Sequence, residues 1–256
     1  MVVSPNSKEV EPMLRNETIH KLKSMKLSGF ALALEEQYLT GGIDDLDFDT
    51  RLGLLVDREY AQRQSNRIER LIRQAKFRDS NACVEDISYR AERKLDRQTI
   101  LELSTCQFIS HARNVNIFGA TGAGKSYLGQ ALGNAACRKG IATRYVLLPD
   151  LFEEYRWAQH QGVEKLMKIK KFYTNVPLLI IDEWLLFRID EEECQLLLQI
   201  IDRRSSRKST VVISQFDSHE WLEQMPIQVA AEAITDRLTA QAYTITIEAK
   251  ESMRRL

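Results

Sequence analysis

The feature that most constrains this chain is an octapeptide near its middle, Gly119-Ala120-Thr121-Gly122-Ala123-Gly124-Lys125-Ser126. An apolar run, Val115-Asn116-Ile117-Phe118, leads into it, and a helix-forming stretch, SYLGQALGNAACRKG, follows. A strand, a glycine-rich loop and a helix in that order let successive backbone N–H groups converge on an anion, helped by the positive end of the helix. The pattern G-x-x-x-x-G-K-[ST] is the Walker A loop, which cradles nucleotide phosphates. Lys125 can reach the β- and γ-phosphates and the Ser126 hydroxyl can ligate Mg2+, so ATP and Mg2+ are the expected cofactors. The eight loop residues and Tyr127, the next in the chain, are the candidate nucleotide contacts.

Such a loop belongs to a parallel sheet, and the chain supplies one from about Asn114 onward. Asn114–Phe118, Thr143–Leu148, Pro177–Asp182, Thr210–Gln215 and Ala242–Ile247 are strand candidates, separated by amphipathic stretches. This alternation predicts a doubly wound α/β fold with a five-stranded parallel sheet. The third strand delivers Asp182 and Glu183 at its C-terminal edge, where open sheets of this kind bind ligands. Asp182 is expected to hold Mg2+, directly or through water, and Glu183 to orient and deprotonate an attacking water. The strand over 210–215 ends in Ser214 and Gln215, either of which could position that water.

The N-terminal part reads differently. Residues 1–12 contain Pro5 and Pro12 and little apolar content, and are expected to be loose. From about Leu14 to Arg78 there is no proline, and helical periodicity puts Leu27, Ala31, Leu34 and Tyr38 on one face. Gly41-Gly42 would end that helix; Asp47 or Asp49 would cap a longer one, whose later apolar stripe is Ile68, Leu71, Ile72 and Ala75. The expected organisation is a small all-helical N-terminal domain over 1–78 and an ATPase core over 79–256, with 79–100 as a connecting segment. Nine residues follow Ile247, so no helical lid domain is expected after the last strand.

Thirty-six basic residues balance 36 acidic ones, so no global field draws the chain to nucleic acid. No apolar run approaches the roughly 18 residues needed to cross a bilayer. The first residues lack the apolar stretch of a signal peptide, and a cytoplasmic location without a membrane partner is expected. Cys83, Cys106, Cys137 and Cys194 show no paired spacing and the four histidines no cluster, which favours packed thiols over a disulfide framework or zinc site. Locally the charge is uneven. Residues 51–78 carry eight basic side chains against three acidic ones. At about 100° per residue Arg63, Arg67 and Arg70 form a ridge suited to the phosphate backbone of double-stranded DNA. Lys165 and Lys168, near Lys170 and Lys171, make a second basic cluster, and Arg203, Arg204, Arg207 and Lys208 a third.

Taken together, the Walker A loop, LLIIDEW, VVISQF followed by HEW, AITDRL and the terminal ESMR resemble the IstB-like transposition helper ATPases. These are AAA+ proteins of the initiator and helicase-loader clade, related to DnaC-type loaders. The resemblance covers nearly the whole chain, including EDISYRAERKLDRQTILEL ahead of the loop. It implies an ATPase encoded beside a transposase in a two-gene insertion sequence. Such a protein would bind DNA, assemble as a homo-oligomer through its ATP sites and stimulate the transposase at the target. The resemblance also implies that Arg237, in AITDRL, is an arginine finger acting in trans, and that Arg254, in ESMR, touches nucleotide in cis. Lys165 and Lys168 fall where this clade inserts helices that line the inner surface of its assemblies. The chain departs from the pattern at Trp184-Leu185-Leu186-Phe187, where a small residue or glycine is expected near position 185. A DnaC-like replicative helicase loader would share the same core. A nucleotide-gated scaffold would have no need of Glu183, and a small-molecule P-loop kinase would leave Arg237 unexplained.

Overall fold

A computed structural model describes residues 7–40, 45–89 and 93–248, with no side chains described for 7–13. The chain divides into two compact units, 1–67 and 68–256. The first contains α1 (Ser7–Ser24), α2 (Ser28–Leu39) and the larger part of α3 (Phe48–Ala75). Helix α1 begins ahead of expectation: residues 7–12 are helical rather than loose, although Pro12 cannot donate a backbone hydrogen bond there. Gly41-Gly42 lie outside the described residues, and α2 gives way to extended backbone at Thr40. Ile19, Leu22 and Ala31 are buried together, with Leu27, Phe30 and Leu34 packed against them. Of the two capping candidates, Asp47 holds the start of α3, accepting from Thr50 N and Thr50 Oγ1, both at 2.9 Å.

The second unit is built on β1 (Val115–Gly119), β2 (Thr143–Leu147), β3 (Leu178–Asp182), β4 (Ser209–Ser214) and β5 (Tyr243–Ile247). The strands are parallel throughout, in the order β2-β3-β4-β1-β5. Side chains alternate between faces along each strand. Leu178, Ile180, Val211 and Ile213 therefore join Val115 and Ile117 in one core, closed by α4 (Arg97–Ser104), α5 (Gln107–Ser110) and α6 (Lys125–Arg138). Leu179, Ile181 and Val212 face the other core, under α7 (Leu148–His160), α8 (Val163–Asn175), α9 (Glu191–Arg204) and α10 (Gln228–Thr239). Because β4 lies between β1 and β3, the loops that leave all three strands emerge side by side at the C-terminal edge of the sheet, where ligands bind in such folds.

Arg204 shows how a basic cluster in sequence is split by folding. Its guanidinium is buried at the end of α9 and donates to the backbone oxygens of Tyr173, Val176 and Ser209 and to Thr210 Oγ1. Burial pushes its pKa down to about 9. It stitches the end of α8 to the strands that follow, so it is not part of a basic surface with Arg203, Arg207 and Lys208.

Candidate nucleotide site

Between the end of β1 and the start of α6 the chain reverses within a few residues. Gly124 makes this possible: its φ of 89° is left-handed backbone that a side chain would disfavour, and it caps α6. Lys125 Nζ donates to Ala120 O at 2.9 Å, holding the ammonium inside the loop. Thr121 Oγ1 donates to Gln215 Oε1 at 2.8 Å and ties the loop to the residue just after β4. The loop walls a cavity of about 460 Å3, whose lining includes Thr121, Gly122, Lys125, Ser126, Tyr127, Glu183 and Gln215. That volume is within the roughly 300–1,000 Å3 of small-ligand sites.

Asp182 closes β3 and is 3% exposed. Its Oδ2 accepts from Tyr145 OH at 2.7 Å and its Oδ1 from Glu183 N at 2.7 Å. The carboxylate of Glu183 is half-exposed, with Arg78 Nη1 3.9 Å from Oε1. The backbone is left-handed at Glu183 (φ 55°) and again at Leu185 (φ 49°), a conformation that costs L-residues about 1–2 kcal/mol each. At Leu185 a glycine would avoid that cost, since the penalty comes from the Cβ. This chain holds the bend by other means. Trp184 and Leu185 are fully buried, the leucine alone contributing about 1.5–3 kcal/mol, and Trp184 N donates to Ile213 O at 2.9 Å.

The two polar residues at the end of β4 have different surroundings. Ser214 is 1% exposed; its hydroxyl donates to Trp184 O at 3.2 Å and accepts from Trp221 Nε1 and Phe216 N, both at 3.1 Å. One donor and two acceptor sites are all a serine hydroxyl has, so Ser214 has no bond left for a water. Gln215 is exposed and lines the cavity. Trp221, from the HEW segment, packs edge-on to Trp184 with ring centroids 5.7 Å apart. The segment thus braces the bend that carries Glu183.

Other sequence candidates lie apart from this cavity. Arg237, on α10, pairs with Asp202 Oδ1 of α9 at 2.9 Å and donates to Ala233 O. Arg254 lies outside the described residues. Arg63, Arg67 and Arg70 are exposed on α3, with Arg63 Nε 2.6 Å from Glu59 Oε1. The Lys165 ammonium sits 5.2 Å over the Trp157 ring, and Lys168 pairs with Glu164 at 2.6 Å.

Three residues near the nucleotide loop or the acidic pair were not foreseen. Arg93 is buried and lines the cavity with Asp86, Ile87 and Ser88. It donates to Ser88 O at 2.5 Å and Ala123 O at 2.9 Å, and burial lowers its pKa. Its only sequence signal is its place in EDISYRAERKLDRQTILEL. Arg78 and Tyr145 carry no signal of their own, because their contacts exist only once the sheet is assembled.

The family profile described as IstB-like ATP binding protein matches residues 20–256. The putative ATP-binding protein of insertion sequence IS1162 from Pseudomonas fluorescens is 39% identical over 206 residues, which cover 80% of this chain and 88% of that one. A putative insertion-sequence ATP-binding protein of Sinorhizobium fredii is 36% identical over 243 residues, 95% of this chain and 98% of its own. Among solved structures, that of DnaI aligns with a TM-score of 0.55 at 20% identity, over 68% of this chain and 91% of DnaI. The likeness to DnaI is one of fold, an α/β core around a parallel sheet. Matched by the profile from residue 20 to its last residue, the chain belongs to the IstB-like ATP-binding protein family.

Proposed function

We propose that this chain is a magnesium-dependent ATPase that binds double-stranded DNA, assembles with copies of itself through its ATP sites and regulates the transposase of an insertion sequence. The observation that carries the reading is that Lys125, at the start of α6 beyond β1, and Glu183 and Gln215, just after the neighbouring β3 and β4, line one cavity. Lys125 neutralises the β- and γ-phosphates, Gln215 positions the water and Glu183 takes its proton. Ser126 and Asp182 offer the hard oxygen ligands that magnesium prefers, and when bound the ion neutralises charge on the transferring phosphate. Arg237 leaves Asp202 to reach the γ-phosphate of a neighbouring copy, and Arg254 touches the nucleotide of its own. The helical part, 1–78, meets DNA through Arg63, Arg67 and Arg70. The core, 79–256, hydrolyses ATP and adds contacts from Lys165 and Lys168. The insertion-sequence names of relatives that share most of the chain favour this role over replicative helicase loading.

Lys125→Ala is expected to weaken ATP binding. Glu183→Gln is expected to retain binding while turnover falls by about 100-fold or more, the usual contribution of a positioned base. Phosphate release and nucleotide affinity measured on both variants test the reading, and normal turnover in Glu183→Gln would sink it.

A further inference from the structure

We propose that Tyr145 is a positioning residue for magnesium: its hydroxyl, together with Glu183 N, fixes the plane of the Asp182 carboxylate so that the remaining lone pairs face the nucleotide loop. The inference rests on the reading of Asp182 as the residue that holds the ion.

The terminal torsion of an aspartate is soft and nearly two-fold, so an unrestrained carboxylate presents either oxygen in a range of planes. Here each oxygen has its own fixed donor, Tyr145 OH on Oδ2 and Glu183 N on Oδ1, both at 2.7 Å. Rotation would break both bonds at once. The sheet register makes the phenol contact possible. Tyr145 lies opposite Ile180 on β2, and Asp182 is the next residue of β3 on the same face, within reach of a long aromatic side chain.

The ring itself is held. It is 3% exposed and packs on Phe77, with centroids 6.4 Å apart and planes at 57°. Phe77 lies in turn close against Gly133 of α6. Partners of this kind behind a metal ligand are worth about 10–100-fold in metal affinity.

The test is Tyr145→Phe in the full chain, which removes the hydroxyl and keeps the ring. Binding of a fluorescent ATP analogue is titrated with Mg2+ and repeated in EDTA, with thermal melts as a check on folding. The Mg2+ midpoint should rise roughly 10–100-fold while affinity in EDTA stays within about twofold of the parent. An unchanged midpoint, alongside a Asp182→Ala variant that has lost its Mg2+ response, would overturn the role of Tyr145. Equal weakening with and without Mg2+ would also overturn it, leaving a merely structural tyrosine. If Asp182→Ala keeps the parent Mg2+ response, the reading of Asp182 fails and this proposal with it. Should Tyr145→Phe not fold, Phe77→Leu carries the test. It loosens the ring and keeps the hydroxyl, so a smaller rise in the midpoint is expected, and no rise refutes the proposal.

Discussion

Gly133→Ala is expected to destabilise the second unit even though alanine is the better helix former. A Cβ at Gly133 would lie 2.6 Å from Ile180 Cδ1 and 2.7 and 2.8 Å from two ring carbons of Phe77, where ordinary contact begins at 3.4 Å. The new methyl meets both side chains at once, so moving either one alone does not relieve it. Overpacking of this kind costs about 1–3 kcal/mol, and the helix preference for alanine returns about 0.8–1 kcal/mol. Two simultaneous clashes favour the upper part of that range, giving a net loss of about 1–2 kcal/mol. For a body of this size the melting temperature should fall by about 2–8 °C. Gly53→Ala is the control. Gly53 is also inside a helix, α3, but nothing lies within 4 Å of its would-be Cβ. There the same substitution should stabilise the helical unit by about 0.5–1 kcal/mol. Circular dichroism melts of the two variants should move in opposite directions. Ile180→Val, which removes the nearest atom, should cost about 0.5–1.5 kcal/mol in the parent and clearly less beside Ala at 133. Shifts of the same sign for the two glycines, or an undiminished cost of Ile180→Val, would refute the packing argument.

Mixing Arg237→Ala with Lys125→Ala subunits should partly restore hydrolysis, because some interfaces then join an intact pocket to an intact arginine. Co-assembled subunits with no rescue at any ratio would count against a role in trans. Replacing Arg63, Arg67 and Arg70 together by alanine should weaken DNA binding and flatten its salt dependence. The slope of log K against log salt should drop by roughly 2.7 if all three meet phosphates and by roughly 1.8 if Arg63 stays with Glu59. An unchanged slope would leave the ridge as a solvated helix face.

The sheet was legible because its central strands β3 and β4 are buried on both faces and read as apolar runs, while β5 at the edge, exposed on one face, alternates apolar and polar residues. All five expected strands lie within a residue or two of those observed. The nucleotide loop was equally legible, since its chemistry is carried by consecutive residues. What the sequence left open depends on contacts between distant residues. Ser214 and Gln215 look equivalent as neighbours, and the serine hydroxyl is taken out of reach by Trp184 O, Phe216 N and, seven residues on, Trp221 Nε1. Arg204 is indistinguishable in sequence from Arg203 and Arg207 until α8 ends beside it with free carbonyls. The Glu59–Arg63 pair, in contrast, follows from i,i+4 spacing on one helix.

The bend after β3 has a thermal consequence. A glycine adopts left-handed backbone without penalty at any temperature, but here the shape around Glu183 is imposed by shielding Trp184 and Leu185 from water. Hydrophobic stabilisation weakens on cooling, and the bend shares that dependence with β3, whose residues 178–181 are equally buried. The aim of Glu183 is therefore set by solvent as much as by the chain.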